Sequence, residues 1–174
     1  MVKLAPAEIL SGPIVPEGFS LDDYNLTLSC AAKELSQKEQ VECPLTHHFS
    51  PGIYGREIFM PAGTFVIGHI HKTQHLNIVL SGKAVVMMEG VIHHIQAPAV
   101  IESKPGVQKV LLIEEDMRWI TIHTNPTDSR CIETLEMDLI ELDEDTKQLK
   151  GSMTIDEFRM SVNKQIKQEV LECH

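Results

Sequence analysis

The chain has 174 residues, enough for one domain with extensions at its ends. A formal net charge of -10 excludes a general nucleic-acid binder, because polyanions are held mainly through Lys and Arg. Hydrophobic residues make up 43% and aromatic ones 5%, so the core must rest on Val, Ile, Leu and Met.

The first ten residues, MVKLAPAEIL, lack the long apolar run of a secretory signal. No stretch reaches the roughly 20 apolar residues of a membrane span. Together they imply a protein of the cytoplasm with no membrane partner. Residues 1–43 read as an N-terminal arm, broken by Pro6, Gly12, Pro13, Pro16 and Gly18, with one short helix over residues 29–41.

Residues 44–125 change character. Short apolar segments follow at 56–60, 64–70, 75–80, 83–88, 91–96, 99–102, 108–113 and 117–123. Turn signals separate them, among them Pro61-Ala62-Gly63, Ser81-Gly82, Glu89-Gly90, Pro98, Lys104-Pro105-Gly106 and Glu114-Glu115-Asp116. Such spacing predicts an antiparallel sandwich or barrel. Residues 126–174 turn acidic and helical. A helix is expected over 128–135, a last strand over 137–142, and an amphipathic helix over about 154–171. The last opens with the capping box Thr154-Ile155-Asp156-Glu157. Cys30, Cys43, Cys131 and Cys173 form no CxxC pair, so zinc ribbons and redox motifs are unsupported and reduced thiols are expected.

Chemistry concentrates between Gly63 and Gly82, in GTFVIGHIHKTQHLNIVLSG. His69 and His71 are two apart, so on a strand they share a face. Lys72-Thr73-Gln74 allows a turn, and His75 opens the next strand. If the two strands pair, three imidazoles converge, and imidazole nitrogen suits Zn, Fe, Cu and Ni. The alternative is that the three are polar filler, hydrogen-bonded within a barrel mouth. His47-His48 fall in an expected loop, and the adjacent His93-His94 can send at most one ring inward. The apolar Ile120 and Ile122 imply that Trp119, Thr121 and His123 face outward, leaving His123 a surface or interface residue and at best a fourth ligand. No G-x-S-x-G elbow, P-loop or G-x-G-x-x-G fingerprint is present.

The order glycine, five residues, HxH, three residues, ligand, six residues, glycine resembles the first motif of the cupin family, with His75 where the family has glutamate. Pro105-Gly106 resembles the start of the second motif, and counting on places Lys109 where the family has its fourth ligand, a histidine. The resemblance implies an all-β fold: a cupin double-stranded β-helix, or jelly-roll barrel. It also implies a metal site at His69, His71 and His75, holding a divalent Zn, Fe, Mn or Ni ion or no ion at all. A lysine ammonium facing such an ion is repulsive unless it is neutral or turned away.

The segments SPGIYGREIFMPAGTFVIGHIH, IESKPGVQKV and EEDMRWITIHTNPTD look like small cupin-fold proteins of tailed bacteriophages. That likeness implies a homo-oligomer, other virion proteins as partners, and a place in the host cytoplasm or the virion. Two functions follow: a phage assembly subunit whose barrel is a scaffold, or a metal-dependent enzyme of oxygenase or isomerase type.

Overall fold

The computed structural model describes Leu35, residues 39–141 and the backbone of residues 149–151. Most of the expected arm and its helix, and the whole of the expected helix over 154–171, lie outside the described residues. The elements are β1 (Leu45–Ser50), β2 (Gly52–Met60), β3 (Phe65–Ile67), β4 (His75–Met88), β5 (Val91–Gln96), β6 (Ala99–Ser103), β7 (Lys109–Asn125), helix α1 (Ile132–Leu139) and β8 (Leu149–Gly151).

All strand pairs are antiparallel, and β4 and β7 organise them. The first half of β4 lies between β6 and the second half of β7, which continues through β2 to β1. The second half of β4 lies between β5 and the first half of β7, which continues through β3 to β8. Two five-stranded layers therefore share two bent strands, the layout of a double-stranded β-helix. Ile58, Met60, Val66, Val79, Val86, Ile113, Met117 and Trp119 fill the space between them. The core is aliphatic and Met-rich, as the low aromatic content requires.

Ser81-Gly82 and Glu114-Glu115-Asp116 bend strands rather than end them. The expected segments 75–80 and 83–88 are one strand, and so are 108–113 and 117–123. Register slips between Val79 and Ala84, opposite Ile113–Trp119, carry the ladder round the corner. Gly82 has φ +89°, and a Cβ there would overlap the Asp116 carbonyl oxygen and Met117 Cα, so only glycine lets the strands cross this closely. The Glu89-Gly90 corner is a two-residue hairpin with both residues at positive φ.

Three further expectations change. His47 and His48 belong to strand β1, not a loop; their segment pairs with β2 across the Pro51-Gly52 turn. The helix expected at 128–135 and the strand expected at 137–142 are replaced by α1. There Leu135 and Leu139, one turn apart, bury against Tyr54 and Ile140. Asn125 fixes the start of that excursion: its side chain accepts from Ser129 N–H and donates to the Ser129 carbonyl. Among the described cysteines, Cys43 is buried and Cys131 exposed.

Candidate metal centre

The site sits at the end of the barrel that α1 covers. His75 is the first residue of β4, and His123 lies near the end of β7, one step beyond the paired Leu76 and Ile122. His71 follows β3 and is held by a bridge to Ile140 and by Gly106 N–H donating to its carbonyl. Lys72 N–H donates to the Leu139 carbonyl, its Nζ to the Met137 carbonyl, and Glu141 N–H to the Ile70 carbonyl. The histidine loop is thus stapled to the end of α1.

These placements bring His71, His75 and His123 together, with one potential ligand atom of each within 4.8 Å of the others. Their ring centroids are 4.2 Å apart for His71–His75 and 4.9 Å for the two pairs that include His123. One row below, Asn77 accepts from Trp119 Nε1 and Thr121 Oγ1 and donates to Ser103 Oγ. That buried network locks β4, β6 and β7 in register beneath the imidazoles.

Burial is the main cause of the site's electrostatics. It lowers the pKa of His75 to about 4 and of His123 to about 3, with help from neighbouring cations, and it lowers His71 further still. All three rings are therefore neutral near pH 7, the form that binds metal. Thr73 carbonyl can only accept, so His75 Nδ1 carries the proton and Nε2 the lone pair. Lys109 Nζ lies 3.3 Å from that Nε2, and burial lowers the lysine pKa to about 8. The Nδ1 atoms of His71 and His123 are buried without a hydrogen-bond partner. Nitrogens without a hydrogen-bond partner are free to act as ligand atoms, so the residues fit a metal.

His69 does not join the cluster. Strand β3 ends at Ile67, and without strand geometry the two-residue alternation that would align His69 with His71 is lost. His69 lines two adjoining cavities with Arg56 and His71, of about 50 and 30 Å³. His123 takes the third place, against the expectation that it faces outward. Along the second half of β7 the buried residues are Met117, Trp119, Thr121, His123 and Asn125, while Ile120 and Ile122 lie on the outer face. Hydrophobicity alone chose the wrong face, because the inward Trp119, Thr121 and Asn125 are hydrogen-bonded and cost little to bury. His93 and His94 are both exposed. His47 bonds Tyr54 Oη and His48 pairs with Glu57, so both serve the outer sheet.

Fold and site together define a double-stranded β-helix with a three-histidine cluster able to hold a metal ion. Several solved structures are similar to part of it. An RmlC-like cupin family protein from Methanocaldococcus jannaschii is 11% identical, covering 49% of this chain and 84% of its own, at a TM-score of 0.43. An RmlC-like cupin from Shewanella frigidimarina is 18% identical over 56% of this chain and 90% of its own, at 0.42. An uncharacterised conserved protein with a double-stranded β-helix domain from Klebsiella pneumoniae is 16% identical over the same shares, at 0.44. No family model and no curated protein matches the sequence.

Proposed function

We propose that this is a metal-binding protein that holds one divalent transition-metal ion through His71, His75 and His123. The observation that carries it is the convergence of three neutral imidazoles, His75 and His123 buried and His71 half-buried, two of them with orphaned Nδ1 atoms. A nitrogen-only set favours Zn, Fe or Ni over Mg or Ca. Three protein ligands leave open positions for water or a small molecule, and a bound ion would supply Lewis acidity there. The chain's own residues do the rest. The Thr73 carbonyl fixes the His75 tautomer, the Asn77 network holds the strands, and α1 shields the site from bulk water.

The test is elemental analysis of protein prepared without a histidine tag, after reconstitution with Zn, Fe, Mn, Ni or Cu, beside His71→Ala/His123→Ala. Near-stoichiometric metal that disappears in the double variant supports the site. A wild-type protein that stays metal-free with every ion sinks it.

An assembly role, of the kind the bacteriophage likeness implies, is the second reading, and one observation favours it. The outer face of the β6–β4–β7–β2 layer carries Ile53, Leu76, Leu80 and Val100, each 42–69% exposed. An apolar sheet face of this kind suits a second copy of the chain. Sedimentation of wild type and Leu76→Glu tests it: an oligomer that the substitution dissociates supports the role, and a monomeric wild type removes it.

A further inference from the structure

The three imidazoles are not held by the same part of the molecule. His75 and His123 stand on β4 and β7, paired strands tied together beneath the rings by the Asn77 hydrogen bonds. His71 lies outside any strand. Two backbone bonds fasten its neighbours to the end of α1, from Lys72 N–H to the Leu139 carbonyl and from Glu141 N–H to the Ile70 carbonyl. His71 itself bridges Ile140, and its tie to the barrel is the Gly106 N–H, which donates to its carbonyl. Lys72 Nζ donates to the Met137 carbonyl. The helix has no basic residue in its own last turn, so it takes that cation from the histidine loop.

By itself the helix that holds His71 is weakly anchored. It has 8 residues, fewer than the roughly 12–15 that an isolated helix needs in water. Its N-cap, Cys131, makes no side-chain cap, and of its residues only Leu135 and Leu139 are buried. These pack with Tyr54 and Ile140 in a cluster separate from the core between the two layers. A cavity of about 30 Å³ is lined by Leu135 and Leu139 of α1 and by His71 and His123 of the site. The helix can therefore leave without breaking the barrel core, and its backbone bonds draw residues 70–72 with it. We propose that α1 and residues 70–72 open and close as one unit: docking of the helix positions His71 and completes the metal centre, and a bound ion in turn holds the helix shut. The inference rests on the reading of the histidines as a metal site and adds how that site is regulated. Lys72 is a positioning residue that acts through His71. Apparent affinity scales with the closed fraction, so whatever loosens α1 weakens metal binding, and the same factor returns as protection of the helix by the ion.

Hydrogen exchange and titration with zinc and nickel, both on the full chain, test this together. In metal-free protein the amides of Lys72, Leu135, Ile140 and Glu141 should share one protection factor, below that of the β4–β7 ladder. A saturating ion should raise it by about tenfold or more in wild type and not in His71→Ala. Leu135→Ala should weaken metal binding by about tenfold or more. Lys72→Met should weaken it by about threefold, and Lys72→Arg should restore most of that loss. In a His71→Ala background Leu135→Ala should have no further effect, because the ligand it positions is gone. Val86→Ala, in the barrel core on the far half of β4, should lower stability and leave metal affinity unchanged, which separates positioning from a general loss of stability. If Leu135→Ala does not fold, the two lysine variants carry the test. An ion that binds wild type yet leaves α1 protection unchanged overturns the proposal, as does an equal loss of affinity in the His71→Ala background or in Val86→Ala. Those outcomes leave the metal reading standing, whereas a wild type that takes up neither ion removes both.

Discussion

At the scale of residues, Lys109 is the group that separates this site from an ordinary imidazole triad. Its Nζ stands 3.3 Å from His75 Nε2, the one lone pair that ring can offer a metal. An ion and the ammonium therefore compete for the same atom, and the two cations repel one another. Lys109→Met removes the competitor while keeping the length of the side chain. Zinc or nickel affinity should rise by about tenfold or more, corresponding to roughly 1.4 kcal/mol, read by isothermal titration with wild type alongside. An unchanged affinity would mean that the ammonium swings clear at no cost. His123 teaches the opposite lesson at the same scale: a residue that alternation assigned to the surface is 4% exposed and belongs to the cluster.

At the scale of elements, the barrel depends on two strands that turn a corner together. Gly82 and Gly52 both have positive φ, at +89° and +74°, but their surroundings differ. Nothing lies within 4 Å of a Cβ built at Gly52, whereas at Gly82 it meets the backbone of β7. Alanine at Gly52 should therefore cost only the conformational term, about 1 kcal/mol. Alanine at Gly82 adds a backbone overlap and should cost about 3 kcal/mol or more. Urea unfolding of the two variants checks this, and equal losses would mean that the β4–β7 corner can spread. The motif spacing between Gly63 and Gly82 was readable because it reflects this corner. The continuity of β4 through it was not, since a bulged strand and a strand end look alike in sequence.

At the scale of the whole molecule, burial of the histidines links stability to pH. Their folded pKa values lie below the unfolded value of 6.5, at about 4 for His75 and about 3 for His123. Between pH 6.5 and these values the unfolded chain binds protons that the folded chain refuses, so stability rises with pH in that window. The contribution is complete above pH 6.5 and is lost as pH falls through about 4 and 3, at about 1.4 kcal/mol per unit of depression. Melting of metal-free protein between pH 7.5 and 4 should show the decline, and His123→Gln should flatten it. A bound divalent ion adds stability at neutral pH, about 2.7 kcal/mol at a hundredfold excess over its dissociation constant, and loses it as protons displace the metal. A pH-independent melting point would show that the imidazoles are hydrated in the folded state.

The alternation of short apolar segments with Gly and Pro turns determined an antiparallel barrel, because a strand's period and a turn's backbone demands are local properties. The same locality made His71 and His75 legible as partners: three residues separate them, and the short loop between them brings them together although β3 and β4 do not pair. Tertiary structure alone decided the third member. His123 reaches the site only because the second half of β7 lies beside the first half of β4, and the inward face of β7 was chosen by the Asn77 hydrogen bonds rather than by its isoleucines. His69 was lost for a related reason, since β3 stops two residues short of it. Lys109 and Arg56 share a cavity although 53 positions separate them, a proximity that strand pairing creates and no local pattern records.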